Sequence, residues 1–233
     1  MKKLTILILP LLLLFLTSCD NNYAHYTDIN NETNEYNNNN NNENNSNNND
    51  DDNLKITESD IMIAKISSLI DSGKAYDTGS YISGEVAKGE YAFVKFKGSG
   101  SYYEEEDKAG EILDNENFSS FGYVKVHGVG NLETRGVLIN INSFEELGVT
   151  GAKEIYEKIN DVSDYLESGY YKVGVDIQPG KYTLESLGSG YYAILTGPVG
   201  NSDIVSNDNF NGKKQITVRS GQYLELSRVQ ILK

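Results

Sequence analysis

Short stretches of alternating apolar and polar residues recur through the C-terminal half of the chain. Residues 182–185, 216–219 and 223–231 place apolar side chains at alternate positions over at least part of their length. That period of two is typical of half-buried strands. Gly180 and Gly221 lie at the ends of such stretches, where a hairpin or a type II turn requires a positive φ. The pattern therefore predicts short antiparallel strands joined by tight turns.

A helical period precedes these strands near the start of the predicted folded part. Thr57 and Asp60 are spaced to cap a helix that is expected to end near Gly73. The predicted apolar face of this helix comprises Ile61, Ala64, Ile66, Leu69 and Ile70.

A second helical region separates the two halves of the folded part. Ser143 and Glu146 resemble a capping box for a short helix, which Gly148 is expected to end. Thr150 is predicted to begin a longer helix. The apolar face of this longer helix comprises Ala152, Ile155, Tyr156 and Ile159.

Spaced tyrosine, glycine and phenylalanine positions occur twice in the same order. A Tyr-x-x-Gly segment, at Tyr81 and again at Tyr171, leads to a Gly-x-Tyr segment that ends at Tyr91 and at Tyr182. In the later part of each copy the offset is a constant 92 residues. The other matching segments are Tyr102-Tyr103 with Tyr191-Tyr192, and residues 114–118 with 206–210. We interpret the chain as two copies of one β module.

The predicted fold class is mainly β with accessory helices. It comprises two tandem small antiparallel β-sandwich or barrel-like modules, each preceded by helix, because strands spaced by roughly 8–12 residues with intervening turns suggest such modules. The predicted boundaries are 54–141 for the first helix and module, and 142–233 for the later helices and second module.

One segment of the second module resembles a known repeat. From Tyr171 to Tyr182 it reads Tyr-Lys-Val-Gly-Val-Asp-Ile-Gln-Pro-Gly-Lys-Tyr. This resembles a repeat of exported proteins and lipoproteins of low-GC Gram-positive bacteria, with the form Y-x-V-G-x-D-I-x-x-G-x-Y, then an N-D-N-F-like segment and a Y-L-x-L strand. Residues 207–210 and 223–226 match the later parts, whereas the first module is one residue shorter between its glycines and lacks the Asp-Ile pair and a proline. The resemblance implies an architecture and an exported location, and it implies no reaction.

The amino terminus has the pattern of an export signal. Two lysines precede an apolar run over residues 4–16, which leads into Leu16-Thr17-Ser18-Cys19. The run is shorter than the roughly 20 residues that a transmembrane helix needs, so it predicts a signal peptide. The Leu-x-Ser-Cys ending resembles the lipobox of bacterial lipoproteins, which implies removal of residues 1–18 and acylation of Cys19. An ordinary secretory signal and an uncleaved signal anchor are the alternatives.

Residues 19–53 are expected to form a disordered tether. Between residues 20 and 53 there are 17 asparagines, eight acidic side chains and no lysine or arginine, so too little apolar surface is available to offset chain entropy. Such a segment spans roughly 30 Å as a flexible coil and about 110 Å when fully extended. We expect it to hold the folded part away from the bilayer.

Composition excludes several partners and kinds of site. The chain has 34 acidic and 20 basic residues and a formal charge of −14, which argues against nucleic acid because phosphate binding needs a clustered cationic surface. A single cysteine rules out an internal disulfide framework and multi-cysteine metal sites. No cofactor is predicted.

Clustered side-chain oxygens are candidates for a cation or sugar site. Asp114, Asp203 and Asp208 are weak candidates for calcium ligands, since their spacing does not match an EF-hand loop. Asn207 and Asn209 flank Asp208 and are candidates for hydrogen bonding to sugar hydroxyls. The alternative is that these residues form turns.

Tyrosines supply a second set of ligand-binding candidates. The chain has 17 tyrosines and no tryptophan, and a tyrosine combines an apolar ring with a polar tip. Adjacent residues of a strand face opposite sides. One of Tyr102 and Tyr103, and one of Tyr191 and Tyr192, is therefore expected to face outward, where it could stack on a sugar ring. Cross-strand packing is the alternative.

Three other features are interpreted as structural. The acidic run from Glu104 to Asp107 is predicted to be a solvated loop, its alternative being a docking patch for a basic partner. His127 corresponds to an arginine in the second copy, which favours an exposed polar position. The glycine-rich segments 98–100 and 188–190 are predicted to be hairpin turns.

Together these patterns predict a lipid-anchored protein on the extracytoplasmic face of the cell membrane. It is expected to act as a binding or structural module at the cell envelope, with the membrane as one partner and a cell-wall glycan or an envelope protein as the other. No catalytic constellation is recognisable, so an enzyme is not expected. The alternative function is hydrolysis of cell-envelope polymers.

Overall fold

The computed structural model of the chain describes residues 55–106 and 110–232. The signal peptide over 1–18, the lipidation site Cys19 and the tether over 19–53 lie outside the described residues and stay predictions. The described part folds into a few helices and antiparallel strands that share one apolar core. The predicted fold class, mainly β with accessory helices, is confirmed.

Helix α1 (Glu58–Asp71) begins at the predicted capping pair. Thr57 Oγ1 accepts a hydrogen bond from the backbone N–H of Asp60 at 3.1 Å, and an Asp60 carboxylate oxygen accepts from the backbone N–H of Thr57 at 2.8 Å. The predicted apolar face is partly wrong, because Ile61 is 50% exposed and Ala64 is exposed. The buried residues are Met62, Ile66 and Leu69.

Over residues 75–106 and 110–140, the first module forms eight strands in two four-stranded antiparallel sheets. The strands are β1 (Ala75–Tyr76), β2 (Gly79–Tyr81), β3 (Gly89–Val94), β4 (Gly100–Glu105), β5 (Ile112–Phe118), β6 (Phe121–Val126), β7 (Leu132–Thr134) and β8 (Val137–Asn140). One sheet has the strand order β1-β8-β3-β6 and the other the order β2-β7-β4-β5. The pairs β1 and β2, β3 and β4, β5 and β6, and β7 and β8 therefore each divide between the two sheets. Within its own sheet each member of such a pair occupies the same position in the strand order.

Two helices lie between the modules. The 3₁₀ turn Ile141–Ser143 leads into α2 (Phe144–Leu147), and α3 (Ala152–Asn160) follows. Gly148 ends α2 at φ +72°, as predicted. The predicted capping box is wrong, because Ser143 belongs to the 3₁₀ turn and its side chain makes no capping hydrogen bond. Helix α3 begins after Gly151 rather than at Thr150, and it buries Ala152, Ile155 and Ile159.

The second module is one antiparallel sheet of longer strands. They are β9 (Gly169–Lys172), β10 (Gly180–Leu195), β11 (Ile204–Val218) and β12 (Tyr223–Leu232). The strand order is β9-β12-β10-β11. Strand β10 covers the positions of β3 and β4, β11 those of β5 and β6, and β12 those of β7 and β8. The strand order of the two modules is the same.

Strand pairing also follows the same register in both modules. Strand β2 pairs with β7 as β9 pairs with β12, and β4 pairs with β5 as the second half of β10 pairs with β11. Equivalent residues are 90 to 92 positions apart in these pairings. The matching pairs include Tyr81 with Leu132 and Tyr171 with Leu224, and Gly100 with Phe118 and Gly190 with Phe210.

This register corrects the predicted alignment of the tyrosine pairs. Tyr102 corresponds to Tyr192, because their partners on the neighbouring strand lie 92 positions apart. Tyr103 corresponds to Ala193, and Tyr191 corresponds to a serine. The two Tyr-Tyr pairs are therefore offset from each other by one residue, which reverses the facing of their members.

The first module has a counterpart of the Asp-Ile pair of the repeat motif. Glu85 and Asp176 each accept a hydrogen bond from the backbone N–H that follows the first motif tyrosine, at 2.9 and 2.8 Å. Val86 and Ile177, the next residues, are both buried. The first module thus lacks the Asp-Ile pair as residues but has Glu85-Val86 in its place, a correspondence that the one-residue deletion directly before Glu85 hides in the sequence.

The tyrosines of the Tyr-x-x-Gly and Gly-x-Tyr segments make the same hydrogen bond in both modules. Each of their hydroxyls donates a hydrogen bond to the backbone carbonyl four residues earlier, over distances of 2.5 to 2.8 Å. In each module one such hydrogen bond lies at the start of the repeat motif and another at its end. The four residues are Tyr81, Tyr91, Tyr171 and Tyr182.

The turn glycines follow the predictions only in part. Gly221 has φ +83° in the turn before β12, as predicted, whereas Gly180 does not adopt a positive φ. Residues 98–100 are not a hairpin turn, because they connect β3 to β4 in a different sheet. Residues 188–190 lie inside β10. The first segment carries the chain from one sheet to the other, and the second coincides with a register shift within β10.

Candidate functional site

The second module has an open groove between the two halves of its bent sheet, which we call the second groove. The last part of β10, both ends of β11 and the turn before β12 line this groove. Its volume is about 310 Å³, at the small end of the range for ligand sites. Six of its lining residues are Tyr192, Ile194, Val205, Ile216, Thr217 and Arg219.

The second groove has an apolar floor and a mixed rim. Tyr192, Ile194 and Ile216 are each at most 6% exposed and supply the floor. Val205 is 51% exposed, and Arg219 is an exposed polar residue beside it in the same groove. The second groove thus combines a buried apolar floor with one exposed apolar side chain and polar residues at its rim.

The corresponding groove of the first module, the first groove, is filled by residues 197–200, which we call the docking loop. The backbone N–H of Val199 donates to the carbonyl of Tyr123 at 3.1 Å, and the carbonyl of Val199 accepts from the N–H of Lys125 at 2.7 Å. Val199 also forms a parallel bridge with Val124 and is 6% exposed. The docking loop, which joins β10 to β11, thus adds a short parallel segment to the outer edge of β6.

The two grooves are built from equivalent positions with different chemistry. The aromatic and β-branched positions keep their character, whereas a carboxylate and an imidazole of the first groove are replaced by isoleucine and arginine in the second. The equivalents of Tyr192, Ile194, Ser206, Ile216 and Arg219 are Tyr102, Glu104, Asp114, Val124 and His127.

Glu104 is the centre of a polar cluster in the first groove and has an exposed fraction of 0%. One carboxylate oxygen accepts from the backbone N–H groups of His127 and Gly128, each at 2.8 Å. The other accepts from the Tyr102 hydroxyl at 2.8 Å and lies 3.1 Å from His127 Nδ1. Burial, and then the nearby Glu104 carboxylate, raises the pKa of Tyr102 well above its usual value. The phenol therefore stays protonated and donates to Glu104.

Two sequence predictions about this cluster are wrong. Glu104 is not part of a solvated loop but lies on β4 with its side chain inward, while Asp107 lies outside the described residues. His127 is only 30% exposed and contacts Glu104, so the exposed polar position expected for it is wrong. Strand alternation places residues 100, 102 and 104 on one face, which is the signal that could have identified the cluster.

The three predicted calcium ligands are not brought together as a recognisable metal centre. Asp208 forms an ion pair with Lys214 at 2.7 Å, and Asp203 is exposed. Asp114 and Asp208 lie inside strands β5 and β11, so the alternative that they form turns is wrong. Within 55–106 and 110–232, no group of three or more histidine, cysteine or acidic residues could hold a metal ion. Calcium binding by these carboxylates stays a prediction.

The candidate ligand-binding residues divide between the grooves and the outer surface. Tyr102 and Tyr192 are 1% and 5% exposed and lie at the first and second groove, whereas Tyr103 and Tyr191 are half-exposed. One tyrosine of each pair thus faces outward, as expected. Because Tyr103 and Tyr191 occupy different positions of the repeat, they do not form equivalent surfaces.

The predicted asparagines lie on β11 rather than in a turn. Asn207 and Asn209 are both exposed, and Asn207 Nδ2 donates to the Tyr191 hydroxyl at 3.3 Å. This surface lies outside the lining of the second groove. Sugar binding by these residues stays a prediction.

Asp176 of the repeat motif joins the two modules to the connecting helix. Its carboxylate accepts from the hydroxyl of Tyr123 at 2.7 Å, from the N–H of Lys172 at 2.8 Å and from the N–H of Lys153 at 3.0 Å. Burial raises the pKa of Asp176, although hydrogen bonds from these donors act in the opposite direction. Since Tyr123 lies on β6 and Lys153 in the first turn of α3, one carboxylate connects three parts of the fold.

A second cluster at the module boundary pairs acidic residues from different modules. Glu225 on β12 and Glu116 on β5 both interact with the hydroxyl of Tyr170. The Tyr170 ring packs edge-on against Phe118 with centroids 5.0 Å apart. Burial, and then the charge of Glu116, raises the pKa of Glu225 to about 7. This carboxyl group therefore titrates near neutral pH.

Comparison with known proteins gives this chain no family. No protein-family model matches it, and no curated protein matches it. Of the helices in the described ranges, none combines the length and the apolar character needed to cross a bilayer.

Proposed function

We propose that this chain is a lipid-anchored protein of the extracytoplasmic membrane face that binds a ligand at the cell envelope. The ligand site is the second groove. One observation carries the binding part of this proposal: the same groove occurs twice, and in the first module it holds a bound segment. The second groove has the same position in the fold and remains open.

The anchoring part of the proposal is supported by the amino-terminal sequence. Ser18 and Cys19 follow an apolar run in the order of a lipobox, and Cys19 is the only cysteine of the chain. Acyl chains on this residue would hold the protein at the bilayer, since each buried CH₂ contributes about 0.8 kcal/mol. The acidic, asparagine-rich segment after it would then separate the grooves from the membrane surface.

Anchoring is tested with the full chain and its Cys19→Ser variant in a Gram-positive host fed an alkynyl palmitate analogue. We expect the wild-type chain to be labelled and to sediment with membranes, and the variant to lose both properties. Ser18→Ala is the matched control, because it keeps a small residue before the cysteine and leaves Cys19 in place. Label on Cys19→Ser, or none on the wild-type chain, would contradict a lipid anchor.

The binding site is tested with the full chain carrying Cys19→Ser, incubated separately with purified cell-wall polysaccharide and with solubilised envelope proteins. Val205→Lys places a charge on the rim of the second groove, where the native side chain is 51% exposed. We expect retention on the bound fraction to fall about tenfold, which corresponds to roughly 1.4 kcal/mol of binding free energy.

The matched control for the groove is Val162→Lys. Val162 is 39% exposed in the segment after α3 and does not line the second groove. This variant is expected to be retained like the parent chain. Equal retention of the two lysine variants would place the binding site elsewhere on the molecule.

A further inference from the structure

The two grooves border equivalent sheet edges. Strand β6 is outermost in its sheet, and β11 is outermost in the sheet of the second module. An outermost strand presents alternate backbone N–H and C=O groups away from its sheet. In the first module, Tyr123 and Lys125 use these groups to bind Val199. Their equivalents in the second module are Gln215 and Thr217, both exposed.

The docking loop shows which shape such an edge accepts. Gly197, Pro198 and Val199 are buried, and Val199 pairs with the edge in the parallel direction. Gly200 has φ +85°, and a Cβ atom there would lie 2.9 Å from the carbonyl oxygen of Lys125. The edge thus accommodates one β-branched residue between small neighbours, held by two backbone hydrogen bonds.

A second observation points to an occupant at β11. Ile204 and Val205 are 59% and 51% exposed at the start of this strand. Val205 shares the second groove with Ile216, which is 6% exposed. Apolar side chains exposed beside an open strand edge are the features that β-strand addition uses, since the edge supplies affinity and the side-chain pockets supply specificity.

We propose that the second groove binds an extended peptide segment of a partner protein, aligned parallel to β11. The partner's backbone N–H donates to the carbonyl of Gln215, and its carbonyl accepts from the N–H of Thr217. A β-branched side chain between small residues packs against Ile216, as Val199 packs at Val124 in the first groove. This inference rests on the proposed function and names the class of ligand for the same groove.

A different protein is a better occupant than a second copy of this chain. Within residues 55–106 and 110–232, the segment that occupies such an edge is the docking loop, and its Val199 is already bonded to Tyr123 and Lys125. A second copy could offer this loop only by breaking those contacts in its own first groove. A partner protein with a free extended segment binds without that loss.

The test uses the acetylated and amidated hexapeptide Thr-Gly-Pro-Val-Gly-Asn, which has the sequence of residues 196–201. The peptide is titrated into isotopically labelled full chain carrying Cys19→Ser, and amide chemical shifts are followed. We expect shifts concentrated at residues 215–219 and saturating at millimolar peptide. The same peptide with an N-methylated valine cannot donate to Gln215 and should bind at least about tenfold more weakly.

Two variants of the chain provide the reciprocal test. Thr217→Pro removes the donor on β11 and is expected to weaken peptide binding at least about tenfold. Lys213→Pro makes the same kind of change on the same edge, outside the groove lining, and is expected to leave binding unchanged. The peptide pair keeps the proposal testable if Thr217→Pro fails to fold.

Three results would overturn the peptide assignment. They are the lack of any shift at residues 215–219, equal binding of the N-methylated peptide, and shifts at β11 that appear with increasing concentration of the chain alone. The last result would identify a second copy as the occupant. If Val205→Lys lowers retention on cell-wall polysaccharide while the peptide does not bind, the proposed function stands and the peptide class is wrong.

Discussion

The two modules share a strand order and a register, yet one groove is filled and centred on a buried carboxylate, while the other is open and has an isoleucine at that position. In the first groove Glu104 binds two backbone N–H groups, and the docking loop covers the edge of β6. In the second groove Ile194 occupies the position of Glu104, and no strand of the described part lies beside the edge of β11. The fold thus provides the same groove twice, and in the described residues only the first groove holds a segment of the chain.

The modules also differ in the size of the side chain at one equivalent position of β6 and β11. In the first module Gly122 lies opposite Phe93, and a Cβ atom on Gly122 would lie 2.1 Å from the ring of Phe118. The rings of Phe93 and Phe118 stack with centroids 4.4 Å apart. The equivalent of Gly122 is Lys214, and β11 runs through that position without a break. Aromatic filling of the first module therefore requires a glycine where the second module tolerates a long side chain.

The largest effect is expected from giving the first groove the residue of the second, through Glu104→Ile. The change leaves the backbone N–H groups of His127 and Gly128 without their acceptor, so the free energy of unfolding should fall by about 3 kcal/mol. Urea unfolding followed by circular dichroism measures this loss. Glu105→Leu is the matched control, because it makes the same kind of exchange at a half-exposed neighbour and should cost about 0.5 kcal/mol. Equal losses would mean that the buried cluster is not a stabilising difference between the modules.

A smaller effect is expected at the equivalent acidic positions of the repeat motif. Asp176→Ala removes hydrogen bonds from Tyr123 and from two backbone N–H groups and should cost about 2 kcal/mol. Glu85→Ala removes one such bond from an exposed side chain and should cost about 0.5 kcal/mol. Thermal unfolding of both variants gives the comparison. If Glu85→Ala lowers the melting temperature as much as Asp176→Ala, the motif acid does not join the modules.

The smallest effect is a pH dependence specific to the module boundary. The pKa of Glu225 is raised to about 7 in the fold, while an unfolded glutamate titrates near its ordinary value of about 4.3. Between these values the folded chain binds more protons than the unfolded chain, so stability is highest below the unfolded pKa and falls as pH rises through about 7. Allowing for partial exposure, the change amounts to about 1 kcal/mol.

Glu225→Gln should flatten this part of the stability profile between acidic and neutral pH. Glu133 is the equivalent residue in the first module and is exposed, so Glu133→Gln serves as the matched control. Urea unfolding at several pH values measures both variants. An unchanged pH profile for Glu225→Gln would show that the pair of carboxylates at the boundary does not control stability.

Local patterns predicted the fold better than they predicted the grooves. Alternation, turn glycines and the repeated Tyr-x-x-Gly and Gly-x-Tyr segments are properties of neighbouring residues, and they gave a mainly β fold with helices. The correspondence of Glu85 with Asp176 was hidden by a single deletion and became visible only through the shared hydrogen bond.

The grooves depend on contacts that have no local signal. Val199 lies in a short loop of the second module, and nothing in residues 197–200 indicates that it binds Tyr123 some 75 positions earlier. Glu104 belongs to a run of acidic residues that is typical of a solvated loop, although its strand position turns it inward. Both features follow from tertiary packing that brings distant segments together.

The docking loop makes the contact between successive modules directional, because the loop of the later module binds the strand edge of the earlier one. A further module placed after β12 by design would offer its own loop to the edge of β11 and leave its own groove open at the new end. Each added module would therefore fill one groove and add one open groove. The number of open grooves would stay at one however many modules are joined. In such an array, length and valency are independent.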